Sequence, residues 1–60
     1  MSEIHDAAKK GDLGKVRELL EKGANVNELD GRGRTPVRIA ARYGFTEVWN
    51  YLRQHGGRDR

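Results

Sequence analysis

The sequence predicts an all-α chain, two repeated helix-turn-helix units joined by a hairpin-like turn. Three observations lead there. Shifted against itself by 33 residues, the chain places Ala7 on Ala40, Ala8 on Ala41, Gly11 on Gly44, Leu19 on Leu52 and Gly23 on Gly56. Ile4 then meets Val37 and Val16 meets Trp49, so the coincidences fall at helix packing positions or helix stops. Within each unit, apolar residues recur at spacings of three and four, and Gly or Pro brackets each helical segment.

In chain order, Ser2 is placed to cap a first helix with Glu3 in its first turn. Ile4, Ala7 and Ala8 form its buried face, and Gly11 ends it. Asp12 is placed to cap a second helix in which Leu13, Val16, Leu19 and Leu20 face inward. Lys15, Arg17, Glu18, Glu21 and Lys22 face water, Glu18 and Lys22 form a favourable i,i+4 pair, and Gly23 closes the helix. Residues 24–34 are expected to form an extended, hairpin-like link. Within it, Gly31 and Gly33 are expected to supply positive backbone angles. Thr35 caps the third helix, and Pro36 takes its first position, where a missing N–H costs nothing. Val37, Ala40 and Ala41, with Ile39 beside them, give that helix a small-residue face before Gly44 stops it. Thr46 is expected to cap the fourth helix, which runs to about His55 and stops at Gly56.

The stretch Asp30-Gly-Arg-Gly-Arg-Thr-Pro-Val-Arg-Ile-Ala-Ala-Arg-Tyr-Gly44 closely resembles the ankyrin repeat, whose usual form reads Asp-x-x-Gly-x-Thr-Pro-Leu-His-x-Ala-Ala-x-x-Gly. Gly23-Ala-Asn-Val-Asn27 is similar to the family's Gly-Ala-Asp-Val-Asn. Val37 stands where the family has Leu. Arg38 stands where it has a His that ties neighbouring Thr-Pro turns, a role the resemblance assigns to His5 in the first unit. The resemblance covers about residues 4 to 57 and implies a solenoid fragment in one domain spanning 1–60. Residues 1–29 read as an N-terminal cap-like repeat and 30–57 as a C-terminal one, followed by a frayed tail at 58–60. Arg53 stands where the first repeat has Leu20, which gives the second repeat a polar outer face, and Asp6 stands where the second has Ile39. Two caps with nothing between them fall short of the roughly three repeats that a stable stack usually needs. They read as an engineered or truncated scaffold of the family.

Sixty residues make one small domain, expected to bury only about 60% of its unfolded surface. No cysteine is present to brace it. No apolar run approaches the ~20 residues of a membrane span, and a soluble, intracellular protein is the default expectation. The net charge of +3 is uneven. Residues 1–29 carry five Lys/Arg against six Asp/Glu, whereas residues 30–60 carry seven Arg against three acids.

Two candidate surfaces follow. Phe45, Val48, Trp49 and Leu52 make one stripe of the last helix, with Tyr51 off it and one turn before His55. No single buried face holds them all. They either thicken the core of a short stack or anchor an interface, as Trp and Tyr often do. The second surface is the concave one where, by the resemblance, partners dock. Its positions are Lys9, Lys10, Arg32, Arg34, Arg42 and Tyr43, with Arg38 one turn from Arg42. The partner-binding set expected is Arg34, Arg38, Arg42, Tyr43, Phe45, Trp49, Tyr51 and Arg53.

No enzyme is expected, because no nucleophile has a base beside it. His5 and His55 with Asp6 or Asp59 match no zinc motif, and neither metal nor cofactor is expected. Gly31-Arg-Gly33 lacks the Gly-Lys-Ser/Thr of a phosphate loop, and turn formation explains it. The arginines imply only non-specific, low-salt binding to nucleic acid. What remains is a module that binds another protein, an acidic one by charge. The alternative is a self-associating homodimeric unit, in which a two-fold mate covers the aromatics.

Overall fold

The computed structural model describes residues 2–59. Four helices run in order: α1 (Glu3–Lys10), α2 (Leu13–Glu21), α3 (Pro36–Tyr43) and α4 (Thr46–Gln54). Each of the pairs α1–α2 and α3–α4 forms one helix-turn-helix repeat. α1 packs on α3 along the inner side of the stack, and α2 touches α4 more sparsely along the outer side. The core takes most of the apolar pairs of the 33-residue register and adds Ile39 and Val48. Ile4, Ala7, Ala8, Val16, Leu19, Val37, Ile39, Ala40, Val48 and Leu52 are all buried. The Glu18 to Lys22 pair forms at 3.6 Å.

The caps obey the sequence in two places and depart from it in two. Asp12 accepts the Lys15 amide at 3.0 Å, and the Thr35 hydroxyl accepts the Arg38 amide at 3.3 Å with Pro36 at the first position of α3. Ser2 occupies the capping position of α1 without a side-chain hydrogen bond. The acids Glu3 and Asp6 sit in that first turn, where negative charge suits the helix N-terminus. Thr46 does not cap α4. It is the first helical residue, and Phe45 takes the capping position. The strict register already puts Phe45 on Asp12. Its ring packs over Gly11 and fixes the approach to the helix without a polar cap.

The link between repeats contains no strand among the described residues. Asp30 builds its tip: one carboxylate oxygen accepts the amides of Arg32 and Arg34, each at 2.8 Å. The Gly33 amide donates to the Asp30 carbonyl, and the Asp30 amide to the Arg34 carbonyl. Of the two glycines expected at positive φ, only Gly33 (φ 75°) is there. An aspartate that bonds the amide two residues on already bends the chain at Gly31, so a single left-handed residue completes the reversal.

Two further expectations are corrected. Ala41 is exposed, although its partners on the small-residue face, Val37 and Ala40, are fully buried. The pattern describes what the helix can bury, and among the described residues no helix lies on that side. The tail expected to fray from residue 58 is held at Arg58. The Arg58 amide donates to Asn27 Oδ1 at 2.8 Å. Its carbonyl accepts the Thr35 hydroxyl. Just before it, buried Gly57 bonds the Leu52 carbonyl, and the Asn27 side-chain amide bonds the Gly56 carbonyl at 3.0 Å. Arg60 lies outside the described residues.

Candidate functional site

The turn at residues 28–34 stands out beside α1 and leaves a groove of about 470 Å³ between them. His5, Asp6, Lys9, Leu29, Arg32 and Ile39 are among its lining residues. His5 joins the two walls. Its ring is buried, and its Nε2–H donates to the Arg34 carbonyl at 2.8 Å, since a carbonyl can only accept. This is the tie to the following turn that the resemblance assigned to it. Nδ1 is buried and finds no partner. The turn is stiffened from the other side by Arg34, whose Nε donates to Asp30 Oδ2 at 2.9 Å. The Arg34 amide, then the Arg32 amide and the Arg34 guanidinium, hold the Asp30 carboxyl at about 2, below its ordinary 3.8 and against the cost of desolvation.

The rigid turn displays what α1 and α3 do not cover. Leu29 is 59% exposed at the groove, and Tyr43, one helical turn beyond groove-lining Ile39, is 45% exposed. The groove is mixed in charge, with Asp6 and Glu28 beside Lys9 and Arg32. The excess positive charge lies on α3, where Arg38 and Arg42 are exposed one turn apart. Among the described residues the ion pairs engage Lys15, Lys22 and Arg34, and Lys9, Arg32, Arg38 and Arg42 take part in none.

The eight residues selected from the sequence therefore separate into five places. Arg34 is a structural part of the turn. Arg38, Arg42 and Tyr43 stand together on exposed α3. Phe45 is half-buried at the seam between repeats, its ring over Gly11 and parallel to Tyr43 within 1°, with centroids 6.4 Å apart. Trp49 and Arg53 pair on the outer end of the stack, the guanidinium 5.2 Å from the ring centroid. Tyr51 is half-buried, its ring 4.3 Å from His55. The aromatic stripe is thus divided, with Val48 and Leu52 in the core and Phe45 and Trp49 on opposite sides of it. Leu29 was missed from the sequence. Its signal was a single large apolar residue between Glu28 and Asp30, in a link with no helical period to bury it.

A family model described as ankyrin repeats in many copies matches residues 4–53. Curated relatives include the 2-5A-dependent ribonuclease of Mus musculus, 41% identical over 56 residues, which make up 92% of this chain and 8% of that protein. The cyclin-dependent kinase inhibitor 2A of Homo sapiens is 39% identical over 54 residues, 90% of this chain and 35% of the inhibitor. The human protein phosphatase 1 regulatory subunit 27 is 33% identical over 52 residues, 87% and 34% of the two chains. The chain thus spans about a third or less of the length of these relatives.

Proposed function

The chain belongs to the ankyrin-repeat family, and from that premise we propose that it binds a segment of another protein carrying an apolar residue flanked by acidic ones. Ankyrin repeats generally mediate protein–protein interaction. Two of the relatives are by name an inhibitor of a kinase and a regulatory subunit of a phosphatase, which are roles exercised on other proteins. The observation that carries the proposal is Leu29, a leucine 59% exposed on a turn that is itself fixed by Asp30, Arg34 and His5. A flexible tip could fold such a side chain away, but a rigid one presents it. The apolar residue of the partner seats against Leu29 and Ile39. Its acidic neighbours extend toward Lys9, Arg32 and Arg42, where unpaired cations speed encounter and fix register.

Selection of random peptides on the immobilised chain tests this. The enriched peptides should combine Asp or Glu with one large apolar residue. Lys9→Glu with Arg42→Glu should weaken them about tenfold or more, as expected for two rim charges reversed together. Leu29→Ser should weaken them at high salt as well as low. Basic or uncharged enriched peptides, or indifference to the double reversal, would contradict the proposal.

A further inference from the structure

The register that defines the two repeats also defines the two ends of the stack. Repeat one meets repeat two with His5, Ala8, Gly11, Val16 and Leu20. Ala8 and Val16 are fully buried, His5 bonds the turn of repeat two, Gly11 lies under Phe45, and Leu20 packs against the core. Their equivalents 33 residues on are Arg38, Ala41, Gly44, Trp49 and Arg53. All of these are exposed except Trp49, which is half-buried. Ala41, Gly44, Thr46 and Trp49 line a hollow of about 290 Å³ at this end, and the Arg53 guanidinium lies over the Trp49 ring at its rim. The outer end of the molecule is therefore an exposed version of its own internal seam, with an apolar centre kept and arginines placed around it.

The opposite end carries the complementary change. Repeat two meets repeat one with Ile39, Phe45 and Val48. Their equivalents in repeat one are Asp6, Asp12 and Lys15. Glu3 and Glu18 flank Lys15 at 3.9 and 3.4 Å. Lys10 shares the hollow formed by Glu3, Asp6, Asp12 and Lys15, and Lys22 reaches Glu18 from the next turn. Carboxylates predominate on this end and arginines on the other.

We propose that copies of this chain stack head to tail, the Arg38, Ala41, Trp49 and Arg53 face of one copy seating on the Glu3, Asp6, Asp12 and Glu18 face of the next. Each new copy takes, relative to its neighbour, the place that repeat two takes on repeat one. Charge sets the direction. Two copies joined by a two-fold axis at the arginine end would bring like charges together, whereas head-to-tail contact brings opposite ones. Such an interface is heterologous and does not close on itself, so assembly continues beyond a dimer. The acidic face meets the groove of the proposed function at Asp6, and the variants below leave Asp6 unchanged so that the two readings stand or fall separately.

Light scattering on fractionated samples tests this with two variants of exposed residues. One blocks the basic end (Arg38→Glu with Arg53→Glu), and the other blocks the acidic end (Glu3→Lys with Glu18→Lys). The original chain should grow in mass beyond a dimer as concentration rises and shrink as salt is added. Each variant alone should stay a monomer with unchanged helicity, whereas an equimolar mixture of the two at low salt should assemble, because the unaltered acidic end of the first meets the unaltered basic end of the second. A mixture of each variant with a limiting amount of original chain should terminate its growth. Mass growth in the original chain should shift Trp49 fluorescence to shorter wavelength as the ring is covered. A monomeric original chain at every concentration would overturn the proposal. So would a variant blocked at its acidic end that still dimerises alone, because that is the behaviour of a two-fold seam.

Discussion

Gly11 and Gly44 end the first helix of each repeat in nearly the same left-handed conformation, φ 70° and ψ 25° against φ 76° and ψ 21°. Replacing either by alanine puts a Cβ into that conformation at a cost of about 1–2 kcal/mol. The surroundings differ. At Gly44 the new Cβ meets nothing within 4 Å, whereas at Gly11 it falls 2.6 Å from Phe45 Cδ1, 2.7 Å from Cε1 and 2.9 Å from Cγ. The ring must swing off the seam and out of its stack with Tyr43, and such overpacking adds typically about 1–3 kcal/mol. Gly11→Ala is therefore expected to destabilise by about 2–5 kcal/mol and Gly44→Ala by about 1–2. A chain of this size has roughly 3–9 kcal/mol in all, so the first variant is expected to sit near unfolding at room temperature and the second is not. Urea unfolding followed by far-UV circular dichroism measures both. Phe45→Leu in the Gly11→Ala background should recover part of the loss, because the two side chains compete for one space. Losses equal within about 0.5 kcal/mol would refute the placement of Phe45 on Gly11, since independent sites of the same backbone geometry should then behave alike.

Other consequences are simpler. Asn27→Ala removes the two bonds from its side chain to the tail, should lower stability by about 1–2 kcal/mol, and should leave the Arg58 amide open to hydrogen exchange. Because the folded-state pKa of Asp30 is depressed to about 2 from 3.8, the turn's contribution to stability is full above about pH 4 and is lost as the pH falls through about 2. Acid titration of helicity should show that loss, and Asp30→Ala should flatten it.

What could be read from the sequence was whatever the 33-residue register encodes. Ile4, Ala8, Val16, Val37 and Leu52 are buried because their spacing leaves a helix one way to lie, and Thr35-Pro36 starts α3 by local chemistry alone. The same register marks Phe45, whose match to Asp12 places it at the capping position of α4. Ala41 shows the limit of a pattern, because periodicity states what a helix offers and says nothing about whether a neighbour takes it. The tail and Leu29 were not legible for a different reason. Asn27 reaches Arg58 and Gly56 across the fold, and the exposure of Leu29 depends on the turn that Asp30, Arg34 and His5 stiffen together. Such contacts link residues that no local window contains. Of the candidate surface, the arginines and aromatics could be selected by type, but their division among turn, seam, α3 and outer end required the packing.

The central claim, that the groove and exposed α3 receive an apolar residue with acidic neighbours, is tested most directly by amide chemical-shift mapping of the labelled chain during titration with the strongest selected peptide. Shifts are expected at Lys9, Leu29, Arg32, Arg42 and Tyr43, with Arg17, Glu21, Asn50 and Gln54 unmoved on the outer helices. Shifts confined to α2 and α4, with Leu29 and Arg42 still, would contradict it.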